Sequence, residues 1–244
     1  MVSEQLAPRL RDAALDLRLS FIEHTPLFRG VCAAQCRQIA DLAHDRRIRR
    51  RETFCREAEP ASDVYVLFAG RLKLTQLCPS GQQVILRLVG PGELFGGLGL
   101  LPGGSYSATA EALEPSHALC WERRRLETLL EHCPPMGRNA LRILAERLRG
   151  FEERYRELAT ERVAQRLARA LLRLVGQVGR PTDGSVLIGL SREDLAQLTG
   201  TTLFTVSRLL SDWESRGVLE ARREAVVIGD TRRLIAIAEE STDS

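Results

Sequence analysis

The chemistry this chain offers is concentrated between residues 191 and 208, where short hydroxyl side chains surround two guanidinium groups. Ser191, Arg192, Thr201, Thr202, Thr205, Ser207 and Arg208 all fall there, with Phe204 among them. Hydroxyls and arginine forks donate to phosphate oxygens and to the acceptor edge of guanine. Catalysis would instead need a nucleophile, a base and an orienting group. No such set has a coherent spacing in this sequence, so no enzymatic activity is expected.

Two short helices must position these groups. Ser191 precedes Leu195 and Leu198, with Glu193 and Asp194 in the first turn, which are helix start signals. After Gly200, Val206, Leu209, Leu210 and Trp213 recur at three- and four-residue steps and mark a buried face. Thr201, Thr202, Thr205, Ser207 and Arg208 are left on the other face. Gly217 then turns the chain toward an apolar strand ending at Ile228. The pattern is a helix-turn-helix with a hairpin wing. Arg222 and Arg223 in that wing read equally as backbone-phosphate contacts or as a solvated turn.

Thiols form a second reactive set. The six cysteines are Cys32, Cys36, Cys55, Cys78, Cys120 and Cys133, with no C-x-x-C pair to suggest a zinc ribbon. The N-terminal stretch mixes acids and arginines rather than forming a secretory signal, so reduced thiols, metal ligands or redox sensors are expected before structural disulfides. Cys32 and Cys36 stand four apart, on one face of a helix.

Composition bounds the class. With 244 residues, 44% of them hydrophobic and 27% charged, the chain is expected to be an ordinary globular protein of two domains. No apolar run approaches the roughly 18 to 20 residues that span a bilayer, so no membrane association is expected and the cytoplasm is the expected compartment. A net charge of +3 is too small for bulk attraction to nucleic acid, which makes any such contact local.

Residues 1 to about 20 carry Leu6, Leu10, Leu15, Leu17 and Leu19 in a loose helical pattern, and Cys32 to Ala43 form a short helix. From Arg49 to Glu122, short apolar runs alternate with glycine and proline turns, which predicts a sandwich or barrel of short strands. The period then changes. Leu141, Leu144, Leu148, Phe151, Tyr155 and Leu158 follow at steps of 3, 4, 3, 4 and 3, a heptad seam along one helix restarted by Pro134-Pro135. Such a seam needs cover, either the same helix of a second subunit across a two-fold axis or the chain's own β domain. A further helix spans Glu161 to Val178, leaving a hinge near Ala159-Thr160. Expected boundaries are 1–133 for a sensor, 134–160 for the dimerisation helix and hinge, and 161–244 for the reader.

This order of parts resembles the cyclic-AMP receptor protein/FNR superfamily of bacterial transcription regulators, from about Pro26 to Ile228. The resemblance is carried by Gly70-Arg-Leu-Lys-Leu, Gly90-Pro-Gly-Glu-Leu-Phe-Gly96, Ser107-Ala-Thr, Glu161-Arg-Val-Ala-Gln-Arg-Leu and Thr205-Val-Ser-Arg-Leu-Leu210. It implies an α+β fold: an N-terminal double-stranded β-roll (a cyclic-nucleotide-binding-like jelly roll), a long dimerisation helix and a C-terminal winged helix-turn-helix. It also implies a homodimer on palindromic double-stranded DNA, with RNA polymerase as a partner. Arg208 takes the position that contacts guanine, and Ser207 matches a base-contacting position of the FNR branch. Ser191, Arg192, Thr201 and Thr202 become phosphate or positioning contacts. Phe204 stands where the family places a base-reading glutamate; it cannot accept from cytosine N4, though it can press on a thymine methyl. The string Thr201 to Arg208 looks like the nitrogen-oxide-responsive branch.

The family's nucleotide cassette maps onto Phe95 to Thr109, with Gly97 at its glutamate position, Tyr106 at its arginine position and only Ser107 retained. Without the guanidinium, useful cyclic-AMP binding is not expected. A redox or gaseous signal, nitric oxide or oxygen, is expected instead. Cys120 falls where the FNR branch has a cluster ligand, and the family topology would bring Cys55 toward it. Cys32, Cys36, Cys55 and Cys120 are thus candidate ligands of an iron–sulfur cluster, or else small buried hydrophobes. Cys78 and Cys133 read as bystanders. For haem, His24 is the first candidate axial ligand, ahead of His44 and His117. The alternatives are a cyclic-nucleotide or other small-molecule response, or a regulator that needs no effector.

Overall fold

A computed structural model of the chain describes residues 15–97 and 104–240. Leu6 and Leu10 of the expected first helix, and the middle of the cassette at 98–103, lie outside the described residues. The chain forms two compact units. One takes the residues up to Leu74 and Val89–Leu148; the other takes Thr75–Leu88 and Arg149 onward.

The first unit contains α1 (15–24), α2 (Ala33–Leu42), α3 (Arg123–His132) and the start of α4 (Pro134–Thr160). Its strands β1 (His44–Ile48), β8 (Ser116–Glu122), β3 (Asp63–Ala69) and β6 (Leu94–Phe95) lie side by side in that order, each pair antiparallel. A second sheet runs β2 (Thr53–Cys55), β7 (Thr109–Ala112), β4 (Leu72–Leu77), β5 (Gln83–Val89). Together they form the antiparallel β-roll. At Gly70, with φ of +95°, a Cβ would fall 2.3 Å from the Ser116 Oγ and 2.7 Å from its Cα. Only glycine fits that turn between β3 and β4.

The central strands of the first sheet, β3 and β8, are buried on both faces, and strand alternation divides their side chains. Val64 and Val66 of β3, with Leu119 and Trp121 of β8, face the helices and join Ile22, Phe28, Cys36, Ile39, Leu126, Cys133 and Met136. The residues between them, Tyr65, Leu67, Ala118 and Cys120, face the second sheet and join Phe54, Cys55, Leu72, Phe95 and Tyr106. Two cores therefore share one sheet. The indole of Trp121 donates to the Ile39 carbonyl at 2.9 Å, which ties α2 to β8.

The second unit holds α5 (Val163–Val178), α6 (Arg192–Thr199), α7 (Leu203–Ser215) and α8 (Thr231–Glu239). Its sheet is ordered β11 (Glu220–Ala221), β12 (Val226–Ile228), β10 (Ser185–Ile188), β9 (Arg180–Thr182). Leu167, Leu171 and Leu174 of α5 are buried, as are Leu195, Val206, Leu210, Trp213 and Ile228. α8, which buries Leu234, Ile237 and Ala238, extends the fold beyond the strand that closes the wing. The break between α4 and α5 falls at Glu161-Arg162, where the Arg162 amide donates to the Gln165 side-chain oxygen at 2.9 Å.

α4 is continuous over 27 residues. Its seam is open: Leu141, Leu144, Leu148, Phe151, Tyr155 and Leu158 are 46–69% exposed. Some of the flanking charges are structural. Arg154 donates to the carbonyls of Leu86 and Gly150, and Arg173 reaches the buried carboxylate of Glu157. Burial, with Arg173 and Arg87 nearby, holds the Arg154 guanidinium below its ordinary value.

Candidate nucleic-acid interface

The reader is built from its caps outward. The Ser191 Oγ accepts from the Asp194 amide at 3.1 Å, and the Asp194 carboxylate accepts from the Ser191 amide at 3.1 Å, a closed capping box at the start of α6. α6 ends on Gly200 in the left-handed conformation, φ 63° and ψ 46°, which lets the chain turn at once. Thr202 caps α7, accepting from the Thr205 amide at 3.2 Å and sharing a 2.9 Å hydroxyl contact with Thr205. Ser191 and Thr202 therefore hold the two helices in place.

Burial of Val206, Leu210 and Trp213 sets the rotation of α7. Phe204 and Arg208 share the opposite face and are exposed, with Thr205 and Ser207 half-buried beside them. Phe204 is 78% exposed, and Leu203 before it 52%. Leu203 escaped the sequence reading because it continues the three- and four-residue steps of the buried face, three before Val206 and seven before Leu210, and only the folded chain shows it exposed. On α6, the Arg192 Nε and the Gln197 Oε1 are buried without a hydrogen-bond partner. In the wing, Arg222 is held by both oxygens of Glu220, at 2.9 and 3.4 Å, an interaction that keeps the Glu220 carboxyl below its ordinary value. Arg223 is exposed beside it.

The nucleotide cassette is altered in chemistry as well as in letters. Tyr106 turns into the core at 5% exposure, and its hydroxyl accepts from the Asp63 amide and donates to the Asp63 carbonyl, both at 3.0 Å. Ser107 is exposed. A Cβ at Gly97 would stand 3.2 Å from Leu94 Cδ2, so a side chain there needs that leucine tip to give by a few tenths of an ångström. The carbonyl of Leu94 accepts from Arg147 of α4.

The four proposed cluster cysteines do not come together. Cys36 lies in the helix-side core and Cys55 and Cys120 in the inter-sheet core, on opposite faces of one sheet, while Cys32 is exposed. Among the described residues no group of three histidine, cysteine or acidic side chains could hold a metal ion. The four-thiolate iron–sulfur site is therefore corrected, and its residues do not fit that cluster. Cys133, read as a bystander, is the real neighbour of Cys32. Both sulfurs donate to the Gln35 side-chain oxygen, at 3.4 and 3.6 Å, and Cys36 is close enough for both to act on it. Burial raises the Cys36 thiol, with lesser contributions from Glu23, Cys32 and Cys133. Burial pushes Cys55 up to about 11 and also raises Cys120.

The histidines are likewise engaged at the surface. His24 is exposed, its Nδ1 on the Ser20 carbonyl at 2.6 Å, so it does not fit as the axial ligand of a buried haem. His117 Nε2 meets Asp45 Oδ1 at 2.6 Å, and Arg18 of α1 binds the other oxygen. Burial works to raise the Asp45 carboxyl, but the hydrogen bonds from His117 and Arg18 outweigh it and hold it below the carboxylate range. No helix among the described residues is long and apolar enough to cross a membrane.

Comparison with known proteins agrees with this architecture. The family model of the cyclic nucleotide-binding domain matches residues 45–133, and that of the Crp-like helix-turn-helix domain matches 165–237. The chain is similar to the cyclic AMP receptor protein of Thermus thermophilus, 30% identical over 214 residues, covering 88% of this chain and 97% of that one. It is also similar to the CRP-like cAMP-activated global transcriptional regulator of Mycobacterium tuberculosis, 29% identical over 187 residues, 76% of this chain and 84% of that one. A solved CRP-family transcriptional regulator, also from Thermus thermophilus, matches with a TM-score of 0.70 at 28% identity, over 81% of this chain and 98% of that one. These relatives are transcription regulators and not enzymes. With both domains matched in order and a relative covered over almost its whole length, the chain belongs to the Crp/Fnr family of DNA-binding transcription regulators.

Proposed function

We propose that this regulator acts in the cytoplasm as a homodimer on a palindromic operator, alongside RNA polymerase, and that its β-roll answers an oxidising or gaseous signal rather than cyclic AMP. The observation that carries the reading is the exposed apolar seam of α4, six large side chains with no cover in one chain. Fully burying an exposed leucine or phenylalanine is worth roughly 1.5–3 kcal/mol, and these side chains, about half exposed, have part of that to gain. A two-fold pairing of α4 covers the seam and sets two copies of α7 for two half-sites. On each half-site Arg208 forks onto guanine, Phe204, Thr205 and Ser207 meet the neighbouring bases, and Arg192, Thr201 and Thr202 face the phosphates. Sedimentation analysis of the purified chain tests the pairing: a dimer is expected, and a monomer at micromolar concentration contradicts it.

For the signal, the support is the thiol group at Cys32, Cys36 and Cys133, with Cys133 immediately before α4. A hydroperoxide oxidises the Cys32 thiol to a sulfenic acid, its O–O bond breaking as an alcohol or water leaves. The Cys133 sulfur then attacks, forming the S–S bond and releasing water. The likeness of Thr201 to Arg208 to the nitrogen-oxide-responsive branch makes nitric oxide the other signal to apply. Operator affinity of reduced, peroxide-treated and nitric-oxide-treated protein is the test. Equal affinity in all three states contradicts a redox or gas response.

Cyclic AMP is the second reading, favoured by the cAMP-dependent relatives and the retained Ser107. Saturable binding of cyclic AMP in calorimetry, with tightened operator binding, would establish it instead.

A further inference from the structure

Leu203 and Phe204 open α7, and both are large apolar side chains held in solvent, at 52% and 78% exposure. Phe204 cannot be buried by turning the helix: successive residues lie about 100° apart around the axis, so a rotation that covered it would uncover Val206, Leu210 and Trp213. Leu203 shares the azimuth of Leu210, seven residues on, and is exposed at the first position of the helix. Phe204 stacks one turn before Arg208 on the same face, and Leu203 one turn before Ser207. The first residues of a recognition helix are the ones that reach base edges. A leucine and a phenyl ring can satisfy none of the donors and acceptors presented there, and a polar edge pressed against them loses its water without replacement. One apolar group does line the major groove, the C5-methyl of thymine.

We infer that Leu203 and Phe204 together read C5-methyl groups on two neighbouring base steps beside the guanine taken by Arg208. The pair recognises the methyl and no other part of the base. A 5-methylcytosine is therefore accepted where thymine is read, and cytosine methylation tightens binding at sites that carry cytosine there. The inference rests on α7 as the groove helix and adds a second residue and a ligand chemistry to it.

The experiment starts from duplexes selected by the purified chain from random sequence. Deoxyuridine then replaces each thymine in turn, which removes the methyl and leaves base pairing unchanged. Two neighbouring positions are expected to lose about fourfold in affinity each, the effect of one buried methyl. Leu203→Ala and Phe204→Ala bind the thymine site more weakly and no longer respond to deoxyuridine, each at its own position. Both residues are exposed, so the variants keep the fold. A duplex with 5-methylcytosine at either position is expected to bind more tightly than its cytosine counterpart. Unchanged affinity on every deoxyuridine duplex overturns the inference, as does a uridine effect that survives in both variants. Arg208→Ala separates the two levels. If it relaxes specificity while uridine does nothing, α7 remains the reader and the methyl reading fails; if neither change matters, both fail.

Discussion

The Tyr106 hydroxyl bridges the amide and the carbonyl of Asp63, at 3.0 Å to each, so the residue at the family's phosphate-binding arginine position is spent on the backbone of β3. A side chain committed to two buried-side hydrogen bonds does not swing out to meet a ligand. Tyr106→Phe is expected to cost about 1 kcal/mol of stability, the usual net worth of a lost hydrogen bond, in urea titration. Tyr106→Arg alone is expected to confer no saturable cyclic-AMP binding by calorimetry, because Gly97 still stands at the cassette's glutamate position and offers no carboxylate. Micromolar binding by the wild type would show that the cassette accepts the nucleotide by another route.

In the proposed dimer, the seam on α4 ties DNA binding to assembly. Leu148→Glu with Phe151→Glu puts two charges among side chains that are 58% exposed in one chain. Such charges are costly once a partner helix covers them. The double variant is expected to sediment as a monomer with unchanged helical content. Its operator affinity should fall by about 100-fold or more, the gain lost when two half-sites are no longer linked.

Thiol reactivity should follow the structure and not the order of cysteines in the chain. Cys32 is exposed, whereas burial pushes Cys55 up to about 11. At pH 8 the thiolate fraction of Cys55 is about a hundredfold below that of an ordinary thiol. Timed alkylation followed by peptide mass spectrometry is expected to label Cys32 first and Cys55 last. Peroxide should leave a Cys32–Cys133 bridge that dithiothreitol reverses, and a bridge between Cys55 and Cys120 would contradict the assignment.

Asp45 supplies the pH dependence. Its carboxyl is held below the ordinary value of about 3.9, so its contribution is present above that pH and is lost as pH falls through the lower folded value. The group is partly exposed and solvent screens it, so the effect is small. Thermal unfolding of wild type and Asp45→Asn should differ at pH 6 and converge toward pH 3. A gap that persists unchanged at pH 3 would contradict the ion-pair account.

Much of the fold is legible in the chain because its signals are local. The capping box at Ser191, the left-handed turn at Gly200 and the 206-210-213 buried face lie within about 20 residues, and each follows from short-range sterics and hydrogen bonding. The seam of α4 was equally visible, since a heptad repeat lies on one helix; that it is left uncovered required the exposures of the folded chain. Chemistry that depends on which face of a sheet a residue occupies was not legible. β3 and β8 are apolar on both faces, so their alternation has no polar phase to reveal direction, and only packing sends Cys120 toward the second sheet and Trp121 toward the helices. That division separates Cys36 from Cys55 and Cys120, and the close of α3 brings Cys133 to Cys32 from 101 residues away. The helix-turn-helix was legible in the chain because its caps, turn and buried face are local. The tertiary structure decided which thiols meet and where Tyr106 points, because long-range contacts arise only when two cores close on opposite sides of one sheet.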